Sequence, residues 1–254
     1  MNAHYDEKYQ AVLRYHDIPG EKLPILFIHG LGCASSSDYP AVVADQSLLG
    51  HRCIMVDLFG AGFSDHPPTF AYSVEAHAKV LLGLIKAIKL TKFVIFGHSA
   101  GGAIAVTLAS LCQERVEKIV LSEPNLDTGG GFFSQGIANQ PLADYCEHGH
   151  QQQIQDCISN DNHVWAGTMQ VANPRAVHQL SSSLMTGSIP SWRQQLIAFP
   201  CPKMVLFGEY SLPDDDYTKL PKVGVQVDVI PESGHSMLWE NPSAVAKTIA
   251  NFIL

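Results

Sequence analysis

At 254 residues the chain exceeds the usual size of one domain, yet a single sheet wrapped by helices often reaches this length, so one domain carrying an insertion fits best. With 46% of residues apolar and 16% charged, the composition is that of a globular protein and excludes a disordered one. A net charge of −8 without any Lys/Arg cluster would repel a phosphate backbone, which excludes nucleic acid as a partner.

The start, MNAHYDEKYQ, shows no basic segment followed by an apolar one, and no apolar run reaches the length of a bilayer span. The expectation is a cytoplasmic protein without a membrane partner. Six short apolar runs then follow in chain order: LPILFIHG (23 to 30), RCIMVDLFG (52 to 60), KFVIFGHS (92 to 99), KIVLSEP (118 to 124), KMVLFGE (203 to 209) and VQVDVIPES (225 to 233). Runs apolar on both faces suit parallel strands covered by helices on each side. Helical patterns separate most of them, as in 73 to 88, where Val74, Ala78, Leu81, Leu82 and Ile85 form one stripe. The alternation predicts a doubly wound α/β fold with a mostly parallel sheet.

From 125 to 199 the alternation stops, and only helical pieces such as PLADYCEHGHQQQIQDCI and PRAVHQLSSSLM appear. The predicted organisation is a core of 1–124 and 200–254 with a helical lid of 125–199 inserted between two strands. Phe132, Phe133, Trp165, Met169 and Met185 are candidates to line a pocket beneath that lid. The last segment, ENPSAVAKTIANFIL, predicts a closing helix with Asn241 as N-cap, Pro242 at its first position, and Val245, Ile249 and Phe252 on one face.

The cysteines at 33, 53, 112, 146, 157 and 201 lack CxxC spacing, so reduced thiols are expected, with a 146–157 bridge as a minor alternative. CEHGH (146 to 150) lacks a second ligand pair at zinc-type spacing, and a solvated helix end describes it better than a metal site. No cofactor is expected.

Chemistry is written most clearly in GHSAG, Gly97 to Gly101, between an apolar run and the helical GAIAVTLASL. Small residues here permit a sharp strand-to-helix turn that pushes the hydroxyl of Ser99 out at the sheet edge. A serine is a weak nucleophile unless a base takes its proton. His235, in a Gly-containing loop after the last strand, is the candidate base, and His98 is expected to pack instead. HGLG, His29 to Gly32, follows another strand; the backbone N–H groups of Leu31 and Ala100 are candidates to stabilise a negative oxygen.

These motifs, with SGHSMLWENP and the loop DLFGAGFSD (57 to 65), resemble the α/β-hydrolase superfamily over almost the whole chain. The resemblance implies a serine hydrolase acting on a small or medium carboxylic ester, and a structural role for Asp57. It implies chain order nucleophile, acid, histidine. In most relatives the acid is an aspartate in a G-E-x-D pattern after the strand KMVLF, but here that position holds Ser211. Some branches take the acid from the preceding strand end, about two dozen residues after the nucleophile. Glu123 occupies that place, 24 residues after Ser99. It is the preferred acid; Asp214, Asp215 and Asp216 are the rival group, although LPDDDYTKL reads as a turn and helix start. The same motifs also fit carbon–carbon bond hydrolysis, a lyase or perhydrolysis. A non-catalytic small-molecule-binding protein, supported only by Ser211, is the alternative of another class.

Overall fold

Along each central strand, alternate residues enter opposite cores. Leu26, Ile28, Ile54, Val56, Ile95, Ile119 and Leu121 pack on one face of the sheet, while Ile25, Phe27, Cys53, Met55, Val94, Phe96 and Val120 pack on the other. Both faces are covered, which is why these segments read as unbroken apolar runs.

The computed structural model describes residues 1–254. Eight strands, β1 (Asn2–Asp6), β2 (Ala11–Ile18), β3 (Lys22–Ile28), β4 (His51–Asp57), β5 (Phe93–His98), β6 (Val116–Ser122), β7 (Lys203–Gly208) and β8 (Gln226–Ile230), form one sheet. Their order is β1-β2-β4-β3-β5-β6-β7-β8. From β4 to β8 neighbouring strands are parallel, and β1 and β2 are antiparallel additions at one edge. The fold is therefore the mostly parallel α/β sheet expected, with two more strands than the apolar runs indicated. Both extra strands lie in the polar N-terminal stretch. β1 (NAHYD) is largely exposed, and a strand solvated at a sheet edge has no need of an apolar run.

Helix Val74–Ala87 starts at Ser73, whose side chain accepts the Ala76 N–H at 3.2 Å, and buries Val74, Ala78, Leu81 and Ile85, while Leu82 stays half-buried. Helix Pro242–Ile253 starts at Asn241, which accepts the Ala244 N–H at 3.2 Å. It buries Val245, Ala246, Ile249 and Ile253, and the neighbouring Phe252 is only partly covered.

Between β6 and β7 the regular elements are helical, among them Phe132–Ala138, His150–Ser159, His163–Val171, Pro174–Thr186 and Trp192–Ala198. Cys146, Glu147 and His148 of the CEHGH segment are exposed, as a solvated helix end would have them, but His150 is not. A π-helical turn over Tyr145–Gly149 carries His150 inward, where its ring bonds the Tyr145 hydroxyl at 3.0 Å and the Met169 carbonyl at 2.9 Å. All six cysteines are unpaired. No helix is long and apolar enough to cross a membrane.

Candidate active site

β5 ends at His98, and helix Ala100–Leu111 begins two residues later, so Ser99 alone makes the turn. Its φ of 52° and ψ of −118° are strained for a residue with a side chain. The backbone holds this shape because Ser99 N–H donates to the Ser122 carbonyl (2.9 Å), while the Ser99 carbonyl accepts from Gly102 (2.9 Å) and Asn125 (3.2 Å). Two glycines make room. A Cβ on Gly97 would stand 2.6 Å from the Gly101 carbonyl oxygen, and one on Gly101 would stand 2.4 Å from that of Ile28.

Across the turn lies the segment after β3. His29 is buried, with Nδ1 on the Gly30 carbonyl (2.8 Å) and Nε2 accepting the Leu58 N–H (3.0 Å). An N–H donor on Nε2 requires the neutral tautomer protonated at Nδ1, and burial lowers the pKa accordingly. His29 thus fixes the loop that carries Leu31. That loop is also held from the helices between β6 and β7, because Trp165 Nε1 donates to the Leu31 carbonyl at 2.8 Å.

Glu123 follows β6 with a φ of 39°. Its Oε1 accepts the Gly208 N–H at 2.9 Å, and its Oε2 lies 2.6 Å from His235 Nδ1. Burial on its own would raise the Glu123 carboxyl, but the His235 ring and the Gly208 N–H outweigh it and hold the group below the usual carboxylate range. Ser211 stands close enough to add to this pull without closing a hydrogen bond of normal geometry. Because Nδ1 faces the carboxylate, Nε2 is the imidazole nitrogen left for chemistry. Ser99 and His235 line the same cavity, although the hydrogen bond between hydroxyl and imidazole is not closed.

His98 is buried against the His235 ring, with centroids 4.8 Å apart, and bonds the Ser122 hydroxyl at 2.9 Å. Burial and the neighbouring imidazole push its pKa down to about 3, so it is a neutral packing group at physiological pH. Asp57 accepts the Ser36 N–H (2.9 Å), the Ser36 hydroxyl (2.8 Å) and the Phe63 N–H (3.0 Å), which ties two loops together away from the cavity.

The rival acids are engaged by groups other than His235, although Asp214 and Asp216 also reach the cavity wall. Asp214 caps a short helix by accepting the Asp216 N–H at 2.7 Å, Asp215 pairs with Lys219 at 2.6 Å, and Asp216 pairs with Arg193 at 2.8 Å. Glu209 accepts the Glu232 N–H at 2.8 Å.

The cavity holds about 500 Å³. Phe132, Phe133 and Trp165 line it, but Met169 and Met185 do not. Met169 instead packs fully buried beside Gly32, because its helix turns only one face to the cavity. Trp239, inside the SGHSMLWENP motif, contributes a wall that helical spacing did not single out.

Behind that wall is a group without any signal in the sequence. Asp38 is 1% exposed, and neither carboxyl oxygen has a hydrogen-bond partner, although Cys33 and the Trp239 indole lie nearby. Burial pushes its pKa up to about 8. The folded protein therefore keeps a proton that the unfolded chain releases near pH 4, and stability falls as pH rises from about 4 to about 8, by up to ~1.4 kcal/mol per pH unit. Asp38→Asn removes this loss. Its melting temperature is expected to exceed that of wild type by about 5 °C or more at pH 8, with the gap closing toward pH 4. A gap of constant size across that range in thermal melts contradicts the assignment.

Residues 24–185 match the model of a family described as alpha/beta hydrolase fold. The chain belongs to that family. A Bacillus subtilis (strain 168) protein named as a 2-succinyl-6-hydroxy-2,4-cyclohexadiene-1-carboxylate synthase is 24% identical, with 92% of each chain covered. The 2-hydroxymuconate semialdehyde hydrolase of Pseudomonas putida is 35% identical over 42% of this chain and 37% of its own length. Among solved structures, a thermophilic esterase from Thermogutta terrifontis superposes with a TM-score of 0.78 at 24% identity, covering 96% of this chain and 93% of that one. Proteins similar to this chain thus include a semialdehyde hydrolase and, by fold, an esterase.

Proposed function

We propose that the protein is a serine hydrolase cleaving a small or medium carboxylic ester, with Ser99 as nucleophile, His235 as base and Glu123 as acid. The observation that carries this reading is the 2.6 Å contact between Glu123 Oε2 and His235 Nδ1, in the cavity where the strained elbow presents Ser99.

The chemistry follows from the groups present. As Ser99 Oγ attacks the ester carbonyl, His235 Nε2 takes its proton, and the Glu123 carboxylate stabilises the imidazolium that forms. His235 is half-exposed, so a modest turn of its ring closes the contact to Ser99 once substrate has excluded water. The N–H groups of Leu31 and Ala100 serve the developing oxyanion, where each donor is worth about 3 to 4 kcal/mol. His235 then returns the proton to the leaving alkoxide. Water, deprotonated by the same ring, attacks the acyl-enzyme and releases the acid and free Ser99. The helices of 125–199 act as a lid that walls off a pocket for a small molecule from the core of 1–124 and 200–254.

A fluorophosphonate probe tests this. Wild type is expected to label stoichiometrically and Ser99→Ala not at all; no labelling of wild type, or labelling that survives the substitution, rejects the reading. The semialdehyde hydrolase among the relatives favours one second reading, carbon–carbon bond hydrolysis with the same residues. Turnover of p-nitrophenyl esters against turnover of vinylogous diketones separates the two.

A further inference from the structure

We infer that the acyl portion of the substrate carries no negative charge, because the cavity around Ser99 is lined by carboxylates and contains no cation to receive an anion. This rests on the serine-hydrolase reading above. Its lining includes Glu123, Asp214 and Asp216 but neither lysine nor arginine.

The nearest guanidinium is already committed. Arg193 Nε donates to Asp127 Oδ2 at 2.9 Å, and its two terminal nitrogens donate to the Asp216 oxygens, both at 2.8 Å. Its fork is matched bidentately, so a bound carboxylate would have to break an existing pair to use it. The two histidines on the wall offer no substitute. His98 is held neutral by burial, and His235 has its Nδ1 on Glu123.

An anionic acyl chain would therefore lose its hydration without gaining a counter-charge and would also face the like charges of Asp214 and Glu123. Phe132, Phe133, Trp165 and Leu184 supply the apolar surface that an uncharged chain covers instead. Discrimination here comes from repulsion as much as from fit.

The experiment compares p-nitrophenyl pentanoate with the p-nitrophenyl monoester of glutaric acid, which has the same five-carbon acyl chain ending in a carboxylate. Expected is Ser99-dependent turnover of the neutral ester and a kcat/KM at least about 30-fold lower for the anionic one. Raising NaCl to about 0.5 M, or Asp214→Asn, is expected to narrow that gap by about threefold or more.

Equal or higher kcat/KM for the glutarate ester, still dependent on Ser99, overturns the inference while leaving the serine-hydrolase reading intact. So does a gap indifferent to both salt and Asp214→Asn, which would reflect shape. Absence of turnover of both esters, together with no fluorophosphonate labelling, overturns both.

Discussion

Glu123→Gln is expected to lower kcat by roughly two or more orders of magnitude while KM changes by only a few fold. The amide keeps the shape of the side chain but loses the charge that stabilises an imidazolium, and it can present an N–H where His235 needs an acceptor. Changing Asp214, Asp215 and Asp216 to Asn is expected to leave kcat for the neutral ester within a few fold, since their side chains serve a helix cap and two ion pairs. A sharper version uses Ser211, which stands beside the Glu123 carboxylate at the position where the family resemblance leads one to expect aspartate. Adding Ser211→Asp to Glu123→Gln should return about tenfold or more of the lost kcat. The reverse ranking, with an asparagine in the 214 to 216 group costing more than Glu123→Gln, moves the acid to that loop.

The second large effect concerns Gly101. Its missing Cβ lies where the Ile28 and His29 carbonyl oxygens approach to 2.4 and 2.5 Å, so Gly101→Ala must push the helix after Ser99 away from the end of β3. Overpacking of this kind costs about 1 to 3 kcal/mol of stability. The loss of activity should be larger. Ala100 N–H sits on the helix that moves and Leu31 N–H on the strand-end loop that resists, so the two proposed donors separate. Losing one such donor reduces kcat by about 10² to 10³ fold. Near-wild-type kcat in a folded, measurably destabilised Gly101→Ala would show that this spacing does not govern the chemistry.

Much of this geometry is legible in the letters. GHSAG requires a turn because only small residues fit where β5, β3 and the following helix crowd together, and Gly97 and Gly101 sit at that crowding. The buried strands are legible because two covered faces demand continuous apolar residues. β1 escapes the same reading because an edge strand satisfies its backbone in a hairpin while its polar side chains face water, and β2, paired on both sides, escapes it because it buries only Ala11 and Leu13 fully and reads as no continuous apolar run.

Side-chain engagement is harder to read. Asp214, Asp215, Asp216 and Glu209 look alike as carboxylates in a loop, and only their partners, Lys219, Arg193 and two backbone N–H groups, distinguish them from Glu123. Asp38 is the extreme case. A carboxylate shortly after a Gly turn reads as a solvated helix acid, and nothing in SSSDYP signals that it lies sealed behind the cavity wall. Met169 shows the converse, an apolar residue on the right helix but on its inward face.

With Glu123 as the proposed acid at the end of β6, the loop after β7 is relieved of a duty. A loop that supplies the acid must hold one carboxylate in register with a histidine, and nearly every change in its length or sequence is then paid in rate. Here that loop is free to do mechanical work. Asp216 grips Arg193, Arg193 grips Asp127, and so the segments that open and close the 125 to 199 insertion are moored to the sheet's far shoulder. On this view the serine at 211 is a release from constraint, and the loop around it is where the protein has most latitude to change its contacts while its chemistry stays the same.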